Sequence, residues 1–406
     1  MNMEHNGKGA LDGIRVIDAS RVLGGPYAGQ ILADHGADVI KVEPPQGDET
    51  RGWGPPFDGD AASYFLGLNR NKRGIGLDIG QAAGRELFLH LIDSADVLIE
   101  NFKIGTLERW GITRALLQDR NPRLIHARVS GFGADGPMGG LPGYDAAIQA
   151  VCGIMSVNGE AGGAALRVGL PVVDMATGLN AVIGILMALN ERHASGKGQF
   201  VETTLYDCGF SLLHPHLPNF YLNGRTPERA GNAHPNISPY DTYATGTEPL
   251  FLAVGNNRQF ATLCRVLGCE GLAGDPDFAT NADRVQNRAA LKVALERRLA
   301  DHECAAIAGT LIRAGVPCGA VRDVAEVACD PHTLHREMVV DAHGHRGTGS
   351  PIKLDRTPVS YRRAPPAFAE HTTEIMDELG LAADAFEDVL PRGIRVPGAS
   401  PGKDRK

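Results

Sequence analysis

Short apolar runs alternate with stretches of helical spacing through the first two hundred residues of the chain. Residues 14–17 and 39–42 are β-branched runs, and residues 25–35 between them carry apolar positions at helical spacing. The alternation continues with the strand-like runs 75–79, 97–99 and 124–129 and the helix-like stretch 82–94. This order predicts an α/β fold, with a doubly wound (Rossmann-like) domain built on a parallel sheet.

The composition changes between residues 222 and 243, where Asn, Pro, Gly and His crowd together. We place a linker here, because 406 residues are too many for one ordinary core. Short strands followed by helices then predict a smaller α+β domain. The expected organisation is a large domain over 1–222, a small domain over 223–323, and a C-terminal segment over 324–406 that returns to the large domain.

The overall charge limits the possible partners. A formal net charge of −8 argues against binding to nucleic acid or to an anionic membrane surface. The most apolar stretch, 178–189, is too short to span a bilayer, and 1–9 lacks the apolar run of a signal peptide. The seven cysteines show no metal-ligand spacing. We expect a cytoplasmic protein with reduced thiols, no metal site and no membrane association.

Two groups of residues suggest a phosphorylated ligand. Gly24-Gly25-Pro26 follows the first strand at a predicted helix N-terminus, but the GxGxxG pattern of nicotinamide and flavin enzymes is absent. The basic candidates are Arg70, Lys72 and Arg73, which lie together, and the isolated Lys41 and Arg109. Taken locally, the glycine turn is as typical of a tight strand-to-helix turn as of a phosphate site. The basic cluster is more often a solvated turn.

Asp174 is the most informative carboxylate. It follows a glycine-rich stretch, 159–169, and precedes an apolar helix, whose dipole would favour the ionised carboxylate. From local sequence alone, an Asp at this position is more often a helix N-cap than a catalytic group.

Long segments, in a specific order, resemble a known family. LDGIRVID (11–18), RVLGGP (21–26) and LADHGADVIKVE (32–43) are similar to the opening of family III CoA-transferases, the CaiB/BaiF family. Shorter similar segments follow at 47–51, 71–74, 100–102, 130–133, 143–145, 174–178, 284–288, 315–319 and 330–331. The resemblance covers nearly the whole chain.

The resemblance implies a role for particular residues. It places the nucleophilic aspartate at Asp174, in a large domain that also binds CoA. The implied contacts to CoA are Val22, Leu23, Lys72 with the adjoining Arg73, Asn101, Phe102 and Arg109. It further implies an interlocked homodimer, a CoA thioester and a carboxylic acid as substrates, and no tightly bound cofactor.

The implied reaction moves CoA to a free acid through an aspartyl anhydride and an aspartyl-CoA thioester. Tyr144, Arg167 and His234 are candidate substrate contacts, and pairing of Arg167 and His234 with a second carboxylate suggests succinyl-CoA as donor. The stretch 159–169 and the His234 loop are candidate oxyanion donors.

Alternatives stay open at this stage. The related α-methylacyl-CoA racemases carry His where this chain has Tyr144, which disfavours a two-base proton shuttle. Formyl-CoA:oxalate transferases carry a glycine run where this chain has residues 231–236, although Trp53 fits them. A non-catalytic CoA-binding subunit would be expected to lack Asp174.

Overall fold

The structure, a computed structural model, describes residues 9–381. This part of the chain forms two compact units. The first unit contains the residues up to 152, then 169–212, and then the residues from 332 onwards, and the second contains 153–168 and 213–331. The boundaries therefore lie at 212 and 331, where the sequence predicted 222 and 323.

The segment 153–168 was predicted in the large domain, but it belongs to the second unit. Its glycine-rich backbone pairs with a later stretch of that unit. The Gly231 amide donates to the Gly159 carbonyl at 3.0 Å, and Arg229 Nε donates to the Gly163 carbonyl at 3.0 Å. These long-range contacts have no signature in the local sequence.

The first unit is built on a six-stranded parallel sheet, which confirms the predicted α/β class. Its strands are β1 (Arg15–Asp18), β2 (Asp38–Glu43), β5 (Lys72–Gly76), β6 (Val97–Glu100), β7 (Ile125–Ser130) and β8 (Phe200–Thr204), in the spatial order β5-β2-β1-β6-β7-β8. The first unit also contains two separate two-stranded antiparallel sheets. They consist of β3 (Phe57–Asp58) with β4 (Ala61–Ala62), and of β12 (Val339–Ala342) with β13 (His345–Thr348). The inner strands read as apolar runs because both faces of the sheet are covered.

Helices connect these strands and are numbered here along the whole chain. The first unit contains α1 (Gly24–Asp34), α2 (Ser63–Leu66), α3 (Ala82–Asp93), α4 (Thr106–Arg109), α5 (Arg114–Arg120), α6 (Asp145–Val151), α8 (Val172–Ser195), α9 (Leu205–Ser211) and α18 (Thr372–Glu378), with a short 3-10 helix at Glu49–Gly52. Helix α8 packs on α1, α9 and the sheet. Ile375 and Met376 of α18 are buried in the sheet's core, so the C-terminal segment is part of this unit.

The second unit has its own core. A three-stranded antiparallel sheet in the order β11-β10-β9 consists of β9 (Tyr240–Tyr243), β10 (Leu250–Ala253) and β11 (Cys318–Ala320). Its helices are α7 (Ile154–Val157), α10 (His216–Asn223), α11 (Asn257–Val266), α12 (Gly271–Gly274), α13 (Asn281–Gln286), α14 (Arg288–Leu299), α15 (Cys304–Arg313) and α16 (Val324–Ala328), and α17 (Pro331–His335) lies where the chain passes back to the first unit. Buried apolar residues of α11, α14 and α15 pack with this sheet.

Helix α8 is the only helix in the described chain that is long and apolar enough to cross a membrane, and 44% of its most apolar window is buried inside the protein. Near its C-terminal end, Arg192 is buried and donates to Asp96 Oδ1 at 2.8 Å. These contacts are those of a core helix packed on a sheet, which is how we interpret α8.

Candidate active site

A cavity opens at the carboxyl ends of the parallel strands. The chain runs outward from β1 to β2 and β5, then returns to place β6 on the other side of β1. This reversal creates a crevice between the loops that follow β1 and β6, the place where open α/β sheets bind ligands. The cavity has a volume of about 250 Å³ and is lined by Arg21, Val22, Leu23, Gly24, Glu49, Asn101, Phe102, Lys103, Ile104, Val129, Ser130, Gly131, Gly140, Leu141, Pro142, Gly143, Tyr144, Asp174 and Leu205.

Asp174 lies in this cavity, in the first turn of α8. It does not cap the helix, as a purely local interpretation would have it. The N-cap residue is Pro171, and the first amides are satisfied by Asp145, whose Oδ2 accepts from the amides of Val173 at 2.8 Å and Asp174 at 3.1 Å. Gln149 Nε2 donates to the other oxygen of Asp145 at 2.6 Å. The Asp174 carboxyl therefore takes no part in capping α8, because a second carboxylate satisfies the helix end.

The environment of Asp174 raises its pKa to about 7. Burial is the main cause, since the residue is only 9% exposed, and the negative charge of Asp145 adds to it. The sequence led us to expect that the helix dipole would keep this carboxylate ionised. The direction of the pKa shift contradicts that expectation, because desolvation and a neighbouring like charge both favour the protonated carboxyl.

Glycines hold Asp174 against the start of α1. A Cβ built at Gly24 would lie 3.6 Å from Asp174 Oδ1, and one at Gly178 would lie 2.7 Å from the Gly24 carbonyl oxygen. Only glycine at position 178 permits so close an approach of the two helices. The Gly24-Gly25-Pro26 turn therefore borders the Asp174 carboxyl group.

The loop carrying Val22 and Leu23 lines the cavity, as its predicted contact with CoA requires. Asn101 fixes this loop: its Oδ1 accepts from the Arg21 amide at 2.9 Å, and its Nδ2 donates to the Arg21 carbonyl at 2.7 Å. Val22 adopts φ 70°, a conformation that is strained for a β-branched residue. The Asn101 amide is thus engaged in holding the strained loop.

Phe102 also lines the cavity and packs edge-on against Trp110, with ring centroids 5.3 Å apart. Arg109 lies nearby on α4, where it is exposed and donates to Thr106 Oγ1 at 2.7 Å. It is not among the residues that line the cavity. Lys103, which the sequence did not single out, is exposed and lines it directly.

The predicted CoA contacts of Lys72 and Arg73 do not fit this structure. Lys72 is fully buried, and its ammonium donates to Asp18 Oδ2 at 2.7 Å, to the Pro26 carbonyl at 2.8 Å and to Asn69 Oδ1 at 2.8 Å. Three acceptors satisfy all three of its donors. The Lys72 ammonium therefore has neither exposed surface nor a free N–H for a phosphate.

The other basic candidates of this region are structural as well. Arg73 is 4% exposed and paired with Asp38, Glu374 and Glu378. Arg70 is paired with Asp34 and Lys41 with Asp48, at 2.6 and 2.9 Å. The sequence showed a density of positive charge here but could not show that each charge is neutralised inside the protein.

The predicted substrate contacts fall in both units. Tyr144 is exposed and lines the cavity in the first unit. Arg167 belongs to the second unit, where it donates to the Val168 carbonyl at 3.1 Å. His234 is also in the second unit, and its Nδ1 accepts from the Asn236 amide at 3.0 Å. Burial lowers the pKa of His234, and neighbouring positive groups of that unit lower it further.

Several groups near Asp174 were missed by sequence reasoning. Arg21 and Glu49 line the cavity, and the Asp145 carboxylate accepts hydrogen bonds from the N-terminal amides of α8. Tyr64 is half-buried, and its pKa is raised to about 12 by burial and then by the charges of Asp174, Asp145 and Asp48. Arg21 and Asp145 lie inside the family-like segments, which was the available signal. In the described residues, no cluster of three or more His, Cys, Asp or Glu side chains is placed to hold a metal ion.

The fold and the cavity define an α/β protein with a candidate ligand cavity at the switch point of a parallel sheet. A family model described as CoA-transferase family III matches residues 11–372, and the chain belongs to this family. It is a family III CoA-transferase, which confirms the resemblance seen in the sequence.

Named relatives cover almost all of the chain. Succinate–glutarate CoA-transferase of Agrobacterium fabrum is 40% identical over 386 residues, covering 92% of this chain and 96% of that protein. Human succinyl-CoA:glutarate CoA-transferase is 34% identical, covering 95% and 89%. A CaiB/BaiF family protein from Brucella suis has a similar solved structure, with a TM-score of 0.82, 41% identity, and 92% of this chain and 100% of that chain covered.

Proposed function

We propose that this enzyme transfers CoA from an acyl-CoA thioester to a free dicarboxylic acid, with Asp174 as the nucleophile. The observation that carries the proposal is the position of the Asp174 carboxyl. It lies in a cavity at the switch point of the parallel sheet, in the first turn of a helix whose amides are satisfied by Asp145. A poorly solvated carboxylate that needs no role in capping is suited to attack a thioester carbon.

The proposed reaction proceeds by alternating anhydrides and thioesters on one side chain. An Asp174 oxygen attacks the acyl carbon of the thioester and expels CoA thiolate, which leaves a mixed acyl-aspartyl anhydride. The thiolate then attacks the aspartyl carbon, forming aspartyl-CoA thioester and releasing the donor acid as a carboxylate. The acceptor carboxylate repeats both steps in reverse, so no proton and no redox equivalent is consumed overall.

Each tetrahedral intermediate carries an oxyanion that needs donors. Preorganised backbone amides stabilise such charges by about 3–4 kcal/mol per donor. The sequence suggested the glycine-rich stretch 159–169 and the His234 loop for this role, and residues 159–168 and His234 belong to the second unit. Exclusion of water matters as well, because an aspartyl anhydride hydrolyses readily.

Two further considerations support dicarboxylates as the acids exchanged. The named activities of the relatives pair succinate or succinyl-CoA with glutarate or mesaconate. The cavity that holds Asp174 is also lined by Arg21, whose guanidinium would balance the charge of a second carboxylate. Succinyl-CoA is accordingly our proposed donor.

We also propose that the enzyme works as a homodimer. Leu179, Ile183, Leu186 and Met187 form an exposed apolar stripe on α8, the helix that carries Asp174. The spacing i, i+4, i+7, i+8 is that of one helix face awaiting a partner. A second copy of the chain is the proposed partner. The proposal includes the interlocked arrangement of the two copies that the family resemblance implies.

We propose that the other residues implied by the resemblance contact CoA in different ways. Val22, Leu23 and Phe102 line the cavity and can contact the pantetheine arm. Asn101 would act mainly through the loop that it holds, and Arg109 would reach a phosphate from the exposed surface beside the cavity.

A direct test replaces the nucleophile. Exchange between succinyl-CoA and labelled glutarate should fall by at least about 1,000-fold in Asp174→Ala, since a covalent route would be lost. Asp119→Asn, at an exposed position of α5, serves as a matched control that removes one surface carboxylate. Exchange by Asp174→Ala at a rate close to that of the control would refute the proposal.

The racemase alternative makes a different prediction. A racemase would exchange the α-proton of a 2-methylacyl-CoA with deuterated water, without any free acid present. We expect no such exchange, because this chain has Tyr144 where that family carries His, so the two-base proton shuttle lacks an imidazole. Deuterium incorporation at the α-carbon would favour the racemase over the transferase.

A further inference from the structure

Two basic residues, Arg21 and Lys103, line the cavity that holds Asp174. Several other basic residues of this unit are paired with carboxylates. Arg51 donates to both oxygens of Glu43, and Arg128 donates to Glu100 at 2.6 Å. Unlike these, the Arg21 guanidinium makes no hydrogen bond or ion pair within the described part of the chain.

The backbone of Arg21 is held more firmly than that of an ordinary loop residue. Asn101 binds both its amide and its carbonyl, and the next residue, Val22, is fixed in a strained left-handed conformation. Strain of this kind persists only where the surroundings enforce it, and it concentrates at ligand sites. These contacts fix the backbone of a residue whose charged side chain has no partner within the described part of the chain.

The chemistry of the cavity favours a carboxylate as the missing partner of Arg21. The cavity already contains two acidic residues, Asp174 and Glu49, so a substrate with a second carboxylate would be repelled without a compensating cation. A planar guanidinium binds a carboxylate through two parallel hydrogen bonds, whereas an ammonium such as that of Lys103 acts as a point charge. Apolar neighbours such as Leu23 and Ile104 strengthen such a pair by excluding water.

We propose that Arg21 is the specificity-determining residue that binds the unreacting carboxylate of the acceptor acid, while its other carboxylate attacks the CoA thioester on Asp174. This inference rests on the proposed function and deepens it. Arg21 would make the enzyme select dicarboxylates over monocarboxylates of the same length. Asn101 would be the positioning residue for Arg21.

The test compares two acids of equal carbon number, glutarate and pentanoate, with succinyl-CoA as the common donor. In an exchange that passes through an enzyme-bound thioester, the donor half-reaction cancels from the ratio of the two kcat/KM values. Arg21→Gln should lower this ratio by about 10- to 100-fold, the value of a charge-assisted hydrogen-bond pair. Arg21→Lys keeps the positive charge but lacks the planar guanidinium. Its ratio of kcat/KM values should lie between those of the wild type and Arg21→Gln.

Lys103→Ala is the matched control, because it removes a positive charge from the same cavity. We expect it to change the ratio by less than about threefold, since its ammonium does not form the bidentate pair. Two results would overturn the inference: Arg21→Gln lowers kcat/KM for both acids equally, or Lys103→Ala lowers the ratio as far as Arg21→Gln does. Failure of the wild-type enzyme to exchange either acid would instead contradict the proposed function itself.

Discussion

At the residue scale, two carboxyl groups of the proposed site have different roles. Asp145 accepts the first amides of α8, and Asp174 remains in the cavity with its pKa raised to about 7. The sequence indicated a candidate at Asp174 only through the family resemblance, because a local interpretation favoured a helix cap. It could not show the role of Asp145, which contacts α8 from 28 residues earlier in the chain.

The raised pKa of Asp174 predicts the pH dependence of the reaction. Attack requires the ionised carboxylate, so kcat/KM for the acyl-CoA should rise with pH, reach half its maximum near pH 7 and be roughly tenfold below the plateau at pH 6. In Asp145→Asn this acid limb should move to lower pH, because one of the two causes of the raised pKa is removed. Measured pH–rate profiles that are flat from pH 5 to 8 would contradict this assignment.

Lys72 provides a second prediction at this scale. Lys72→Met leaves Asp18 buried without its cation, so the free energy of unfolding should fall by about 3–5 kcal/mol in a denaturant titration. Arg120→Met is the control: Arg120 pairs with Asp93 at the surface, and its loss should cost no more than about 1 kcal/mol. A Lys72→Met protein that is as stable as wild type but has a raised KM for acyl-CoA would restore the role in CoA binding that the sequence suggested.

At the element scale, the site results from how α1 and α8 meet above the sheet. The alternation of strands and helices was legible in the sequence because parallel strands are buried on both faces. The sequence could not predict that residues 153–168 belong to the second unit, because this depends on pairing with residues near 230, which are distant in sequence. Close packing at Gly178 was equally invisible, because any glycine in a helix could be incidental.

Gly178→Ala tests this packing. Its Cβ would lie 2.7 Å from the Gly24 carbonyl oxygen, so α1 and α8 must separate beside Asp174. We expect a loss of about 1–3 kcal/mol in unfolding free energy together with a lower kcat. Gly274→Ala, where a Cβ would meet nothing within 4 Å, should leave both quantities near wild type. Equal behaviour of the two variants would show that the close contact has no energetic weight.

At the scale of the whole molecule, the exposed apolar stripe on α8 connects the catalytic helix to assembly. We predict that Leu186→Glu shifts the protein from dimer to monomer in sedimentation velocity, because a charge in a buried apolar interface is costly. Gln118→Glu, at an exposed polar position of α5, should stay dimeric. A wild-type protein that sediments as a monomer at micromolar concentration would contradict the proposed dimer.

The central claim is that an Asp174 oxygen bonds covalently to an acyl carbon. The most direct measurement is mass spectrometry of the protein quenched during turnover with succinyl-CoA. The account predicts a chain heavier by CoA less one water, with the addition located at Asp174 in the peptide digest and absent from Asp174→Asn. An adduct at another residue, or full turnover by Asp174→Asn, would contradict it.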